Sequence, residues 1–249
     1  MALLDVRELA VQFGGIRALD GISFSVAEGE TLTVIGPNGS GNTSLFNCIS
    51  GIYRPTGGSI VYAGESLLGL SPDRVARQGV ARTFQNVRLF PTMSVLDNLL
   101  VGRHRHFRKN LLAAVARLRG EEVRHRRRCE EIIEFLNLEP YRKARVGDCP
   151  FGVQKRVELG RALATEPTLL LLDEPVSGLT SEEKAEFSYW IHEIRGRFRI
   201  TILLVEHDLR VASRLADRMV ALDHGVKIAE GTPEAVQRDP DVVRAYLGE

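Results

Sequence analysis

The chain has 249 residues, 44% of them hydrophobic, with 33 Lys and Arg set against 32 Asp and Glu for a formal net charge of +1. That length suits one large α/β domain or a core with an inserted subdomain, and the balanced charge gives no support for a nucleic-acid binder. No apolar run approaches the roughly 20 residues of a spanning helix, and the opening Met1-Ala2-Leu3-Leu4-Asp5 lacks a signal-peptide pattern. Cys48, Cys129 and Cys149 have no metal-ligand spacing and are expected to be packing residues in a reducing compartment.

Residues from Leu3 to Val26 read as β-strands, because Ile22, Phe24 and Val26 alternate with serines at the period of a half-buried strand. Gly14-Gly15 marks a turn between two such runs. Phe13 precedes that turn, where its ring is either core or a platform for stacking on a nucleotide base.

The apolar run Leu32-Thr33-Val34-Ile35 leads into Gly36-Pro37-Asn38-Gly39-Ser40-Gly41-Asn42-Thr43-Ser44, and Leu45-Phe46-Asn47-Cys48-Ile49 then opens a helix. Strand, glycine-rich turn and helix form the context of a phosphate-binding loop, in which successive N–H groups and the helix N-terminus face an anion. Thr43 would hold the Mg²⁺ that accompanies a nucleoside triphosphate. Position 42 departs from the pattern G-x-x-x-x-G-K-[ST], which requires lysine. Asparagine is neutral and shorter, so a charge-assisted hydrogen bond worth roughly 1.5–3 kcal/mol is lost.

Pro55-Thr56-Gly57-Gly58-Ser59 is a turn cluster before the strand Ile60-Val61-Tyr62. A further strand is expected over Gly79 to Gln85, placing the Gln85 amide at a strand end, where it faces Mg²⁺, an attacking water or only solvent. From Asn86 to about Glu139 helix formers and arginine dominate. Cys129, Ile132, Ile133 and Leu136 recur at amphipathic helical spacing. The basic clusters Arg103 to Lys109 and Arg124 to Arg128 are expected on solvated helix faces, or in contact with acidic lipid headgroups or a membrane partner.

Asp148-Cys149-Pro150-Phe151-Gly152-Val153 leads into a helix through Ala164, whose free first N–H groups suit an anion. Thr168 to Pro175 reads as a buried strand ending in Asp173 and Glu174. Strand-end carboxylates lie at the ligand edge of an open α/β sheet. Asp173 is expected to hold Mg²⁺ through its water shell, and Glu174 to polarise a water for attack on a γ-phosphate. Thr180-Ser181-Glu182-Glu183 fits a capping box. The strand Ile200 to Glu206 delivers His207 to the same edge, where it is either structural or a reporter of the γ-phosphate. Asp223-His224-Gly225 is a hairpin turn, and a short helical pattern closes the chain.

The phosphate loop, Gln85, the turn at Cys149 to Val153, Leu169 to Glu174 and His207, in that order, resemble the ATP-binding subunit of an ABC transporter over nearly the whole chain. Ala81-Arg82-Thr83-Phe84-Gln85-Asn86-Val87-Arg88-Leu89-Phe90, Phe46 to Gly51, Gly152 to Leu159 and the closing Arg244-Ala245-Tyr246-Leu247-Gly248 resemble the branched-chain amino acid importer within that family. The resemblance implies an α/β fold with a P-loop NTPase (RecA-like) core sheet, an N-terminal antiparallel β subdomain and an inserted helical subdomain. The core is expected over about 1–85 and 161–249, and the helical part over about 86–160.

The resemblance further implies ATP and Mg²⁺ as ligands, with Phe13 as adenine stacker and Gly36 through Ser44 around the phosphates. Thr43, Gln85 and Asp173 would stand at the metal. Glu174 would be the catalytic base, His207 the γ-phosphate switch, and Gln85 the link to the membrane subunit. Pro150, Phe151, Gly152 and Val153 would meet the nucleotide of a second ATP-binding chain in a head-to-tail dimer, and residues 86–100 would meet a permease. A peripheral place on the cytoplasmic membrane face and an indirect link to a solute-binding protein follow. Asn42 replaces the lysine, Cys149-Pro150-Phe151-Gly152-Val153 replaces Leu-Ser-Gly-Gly-Gln, and Thr180 replaces an acidic residue. The alternatives are a regulatory subunit that turns over little ATP, and an importer of urea or another small polar solute.

Overall fold

The computed structural model describes residues 2–106 and 111–247, with the backbone alone for 111–119. It divides into two compact units, one of residues 1–82, 168–175 and 188–249, the other of residues 83–167 and 176–187.

The first unit contains two sheets. In the four-stranded antiparallel sheet, β1 (Ala2–Phe13) lies between β2 (Ile16–Ala27) and β4 (Gly57–Tyr62), and the short β5 (Glu65–Ser66) follows β4. The six-stranded sheet has the order β10 (Val226–Gly231), β9 (Arg218–Asp223), β3 (Thr31–Ile35), β8 (Thr201–Val205), β7 (Leu169–Asp173), β6 (Val80–Arg82). Neighbours from β9 to β6 run parallel, and β10 turns back on β9. Every residue of β3, β7 and β8 is buried, as expected of parallel strands covered on both faces. The hairpin between β9 and β10 turns at His224 and Gly225, both with positive φ, the requirement of a type I′ turn.

Helix α1 (Asn42–Ile49) follows β3 and inserts Leu45, Phe46 and Ile49, each 0% exposed, into a core shared with Leu4, Ile22, Leu32 and Leu171. Full burial of each such side chain contributes roughly 1.5–3 kcal/mol. The helix is therefore a rigid mount for the loop before it. Helix α2 (Pro72–Gln78) precedes β6, and Tyr62 on β4 hydrogen-bonds Thr168 at 2.7 Å, just before β7. The C-terminal helices α7 (Leu209–Leu215), α8 (Pro233–Gln237) and α9 (Pro240–Leu247) surround a smaller core of Ile35, Met219, Val236 and Val242.

The second unit is helical, built on α3 (Val95–Gly102), α4 (Leu111–Phe135) and α5 (Phe151–Ala164). Cys129, Ile132, Ile133 and Leu136 are all buried, so the amphipathic pattern marks a packed face. Helix α6 (Ser181–Phe198) begins in this unit with the expected reciprocal cap: the Thr180 N–H donates to Glu183 Oε2, and the Glu183 N–H donates to Thr180 Oγ1. Among the described residues no helix is long and apolar enough to cross a membrane.

Two expectations change. The strand expected up to Gln85 stops at Arg82, and the Phe84 N–H turns instead to Glu158 Oε1 at 3.4 Å. The basic clusters are not wholly solvated. Arg103 is 6% exposed; it donates to the Ala164 carbonyl and to His125 Nδ1, which is itself buried. Phe107, Arg108 and Lys109, like Gly248 of the closing segment, lie outside the described residues. All three cysteines are buried free thiols, and burial pushes Cys48 and Cys129 up to about 12.

Candidate functional site

The strand order assembles the site. The phosphate loop leaves β3, His207 stands two residues beyond β8, and Asp173 and Glu174 stand at the end of β7. Because β8 lies between β3 and β7, these parallel strands present their carboxyl ends along one edge.

The loop is tightly built at its base and open at its tip. A Cβ on Gly36 would lie 2.4 Å from the Leu222 carbonyl oxygen and 2.5 Å from Ser40 Oγ. Gly41 has φ 104°, and a Cβ there would lie 2.6 Å from the Ala18 carbonyl oxygen. Asn38 and Gly39 are exposed at the tip, and Thr43 is exposed on the first turn of α1. Ser40 and Asn42 are buried, 2% and 6% exposed, yet the Ser40 hydroxyl and both amide atoms of Asn42 meet no hydrogen-bond partner among the described residues. Unmet buried polar atoms cost about 1–3 kcal/mol each, so their clustering beside a helix N-terminus fits a polar anionic ligand.

His207 bridges the other two strand ends. Its Nδ1 is 2.7 Å from the Gly36 carbonyl oxygen and its Nε2 is 2.7 Å from Glu174 Oε1. Both partners are acceptors when the carboxylate is ionised, so the ring meets both only with a proton on each nitrogen. Glu174 is held in the left-handed region at φ 47°, and its N–H donates to the Val205 carbonyl at the end of β8. A glutamate keeps that conformation only where its surroundings over-determine it.

Asp173 is 4% exposed, and its Oδ2 accepts from Arg82 Nη2 at 2.8 Å. The sequence alone places Arg82 in a strand and gives it no role. The available signal was a charged residue directly after the apolar pair Val80-Ala81 in a short strand. Phe13 is 48% exposed and meets Tyr53 edge to face at 5.1 Å, so its ring stands at the turn and outside the core. Tyr246 on α9 is a further residue that sequence reading left without a role. Burial pushes its phenol up to about 12, and its hydroxyl lies against the Gly36 backbone.

In the helical unit Gln85 is exposed, and its carbonyl accepts from the buried Lys155 at 3.3 Å. Pro150 caps α5, Phe151 is 46% exposed with the Lys155 ammonium over its ring, and Gly152 and Val153 are buried. Glu158, also buried, accepts from the Phe84 and Arg88 N–H groups, and burial pushes its carboxyl above the usual range.

The chain as a whole is similar to known proteins. A family model of ABC transporters matches residues 19–177, and one of the branched-chain amino acid ATP-binding cassette transporter matches residues 226–249. The chain is 40% identical over 250 residues to the high-affinity branched-chain amino acid transport ATP-binding protein BraF of Pseudomonas aeruginosa, covering 99% of this chain and 98% of that protein. It is 38% identical to the corresponding LivG protein of Escherichia coli, with the same coverage. Among solved structures, a nucleotide-free ATP-binding cassette from an ABC transporter aligns over 100% of both chains at TM-score 0.87 and 31% identity. The ADP conformation of the ABC transporter cassette MJ1267 aligns equally well at 30% identity.

Proposed function

Because this chain belongs to the ABC transporter family, as an ATP-binding subunit of its branched-chain amino acid import branch, we propose that it couples ATP binding and hydrolysis to uptake of branched-chain or related amino acids. The observation that carries this reading is the line from Gly36 through His207 to Glu174, which joins a phosphate loop to a carboxylate at one sheet edge.

Each residue has a task in that reading. The backbone of Gly36 to Ser44 binds phosphates, and Phe13 stacks on adenine. Glu174 takes a proton from the attacking water. His207 holds Glu174 in place and senses whether a γ-phosphate has arrived. Thr43 and Asp173 would hold Mg²⁺, which neutralises phosphate charge when bound, and Gln85, in the helical unit, would be the link to the membrane subunit. Pro150 to Val153 serve the nucleotide on a second ATP-binding chain, and residues 86–100 receive the permease. The protein then works peripherally on the cytoplasmic face of the membrane.

Asn42 favours a second reading, in which the chain is a low-turnover regulatory member of a heterodimer. Its amide cannot neutralise phosphate charge, although the rest of the cradle is complete. Co-expression with its permease subunits and reconstitution in vesicles tests both readings. ATP-dependent uptake of leucine, isoleucine or valine is expected, and it stops when the second chain alone is supplied. Uptake driven equally by the second chain without this one overturns the energising role.

A further inference from the structure

We propose that Arg82 is a positioning residue that sets the spacing between the two proposed holders of Mg²⁺ in this unit, Thr43 and Asp173. This rests on the reading of those two residues given above. They stand on different elements, Thr43 on the first turn of α1 and Asp173 at the end of β7. Arg82 stands on a third element, the edge strand β6, which pairs with β7.

One guanidinium reaches both. Nη2 donates to Asp173 Oδ2 at 2.8 Å, while Nη1 donates to Asn47 Oδ1 at 2.7 Å and to Ser50 Oγ at 3.1 Å. Asn47 and Ser50 follow Thr43 at i+4 and i+7, so Arg82 grips the α1 face on which Thr43 lies. The guanidinium also covers the ring of Phe46 at 5.4 Å from its centroid. Arg82 and Asp173 side chains are 8% and 6% exposed, so water neither screens nor replaces the tie. A planar fork with separated donors holds two elements at a defined distance; a lysine ammonium, as a single point, does not. Fully buried Phe46 and the strand pairing keep the guanidinium in register.

The test compares binding of the imidodiphosphate analogue of ATP by calorimetry, in excess Mg²⁺ and in EDTA, for the full chain. The ratio of the two dissociation constants reads the metal contribution. Arg82→Gln is expected to reduce that ratio by roughly ten- to a hundred-fold, the usual effect of removing a residue that orients a ligand. Its affinity in EDTA is expected to stay within about threefold of wild type, because the phosphate cradle is intact. Arg82→Lys keeps the charge and is expected to lose most of the ratio. The double variant Asn47→Ala, Ser50→Ala leaves Asp173 and Arg82 in place, and it is expected to lose part of it with little change in Tm. An unchanged ratio in Arg82→Gln and the double variant overturns the proposal, as do equal losses with and without Mg²⁺, which mark a merely structural arginine. A wild-type chain with no gain from Mg²⁺ overturns the assignment of Thr43 and Asp173 themselves, and the proposal with it.

Discussion

His207 and Glu174 are 33 residues apart in the chain, yet Nε2 and Oε1 are 2.7 Å apart across adjacent strand ends. The same imidazole holds the Gly36 carbonyl on its other side, so the position of the carboxylate is tied to the phosphate loop. In the proposed function Glu174 is the general base, and a base must be placed before its basicity matters; this ring would be what places it.

Glu174→Gln keeps the shape and the hydrogen bond but removes the proposed base. Steady-state phosphate release is expected to fall by roughly 10²–10⁴-fold, the usual contribution of a positioned base. Nucleotide affinity measured by calorimetry should be unchanged. His207→Ala should lower turnover as well. Full turnover in Glu174→Gln removes this residue from the chemistry.

Asn42→Lys restores an ammonium beside the phosphate cradle. Mg-ATP binding is expected to tighten by roughly ten- to a hundred-fold. The unliganded variant should melt earlier than wild type. Position 42 is 6% exposed and the Asn42 amide atoms there meet no hydrogen-bond partner among the described residues, so an ammonium would be buried at a cost. Thermal unfolding with and without nucleotide checks both signs in one experiment. Identical affinities for lysine and asparagine would remove any electrostatic role from this position.

Gly102 allows α3 to approach α5 closely. A Cβ there would lie 2.4 Å from the Arg161 carbonyl oxygen and 3.0 Å from Ala164 Cβ. Backbone cannot yield as a flexible side-chain tip does, so Gly102→Ala is expected to destabilise the helical unit by about 1–3 kcal/mol. Urea unfolding followed by helical signal should show a lower midpoint. An unshifted midpoint would mean that the two helices do not pack at this point.

His125 makes stability depend on pH. Burial, followed by the charges of Arg103 and His106, holds its imidazole below the usual 6.5, and its Nδ1 accepts from Arg103 Nε. A histidine with a lowered folded value takes up its proton more readily when unfolded. Its contribution is thus complete above about pH 6.5 and is lost as pH falls toward the folded value. His125→Gln should flatten the fall in Tm between pH 7 and pH 5 relative to wild type. Glu158, raised by burial, acts with the opposite sign, losing stability as pH rises above the ordinary carboxylate range. The difference between wild type and His125→Gln is therefore the quantity to read.

Local chemistry made much of this protein readable before folding. The apolar runs of β3, β7 and β8, the glycines of the phosphate loop, the cap at Thr180 and the turn at His224-Gly225 each depend on their own few residues. The order of motifs along the chain identified the family for the same reason. Strand limits were less readable: the strand ends at Arg82, and the Phe84 N–H meets a glutamate distant in the chain, Glu158. The burial of Arg103 was also hidden, since a basic run carries no mark of which member will turn inward onto His125.

The sequence by itself determined which residues carry a glycine-rich turn, a carboxylate or an imidazole after an apolar run, because those features belong to side chains and local backbone. Only the tertiary structure decided that β8 lies between β3 and β7, that His207 therefore spans Gly36 and Glu174, and that Arg82 joins Asp173 to Asn47 and Ser50. Sheet order is settled by burying whole strands and helices against one another, a cooperative quantity that no single segment encodes.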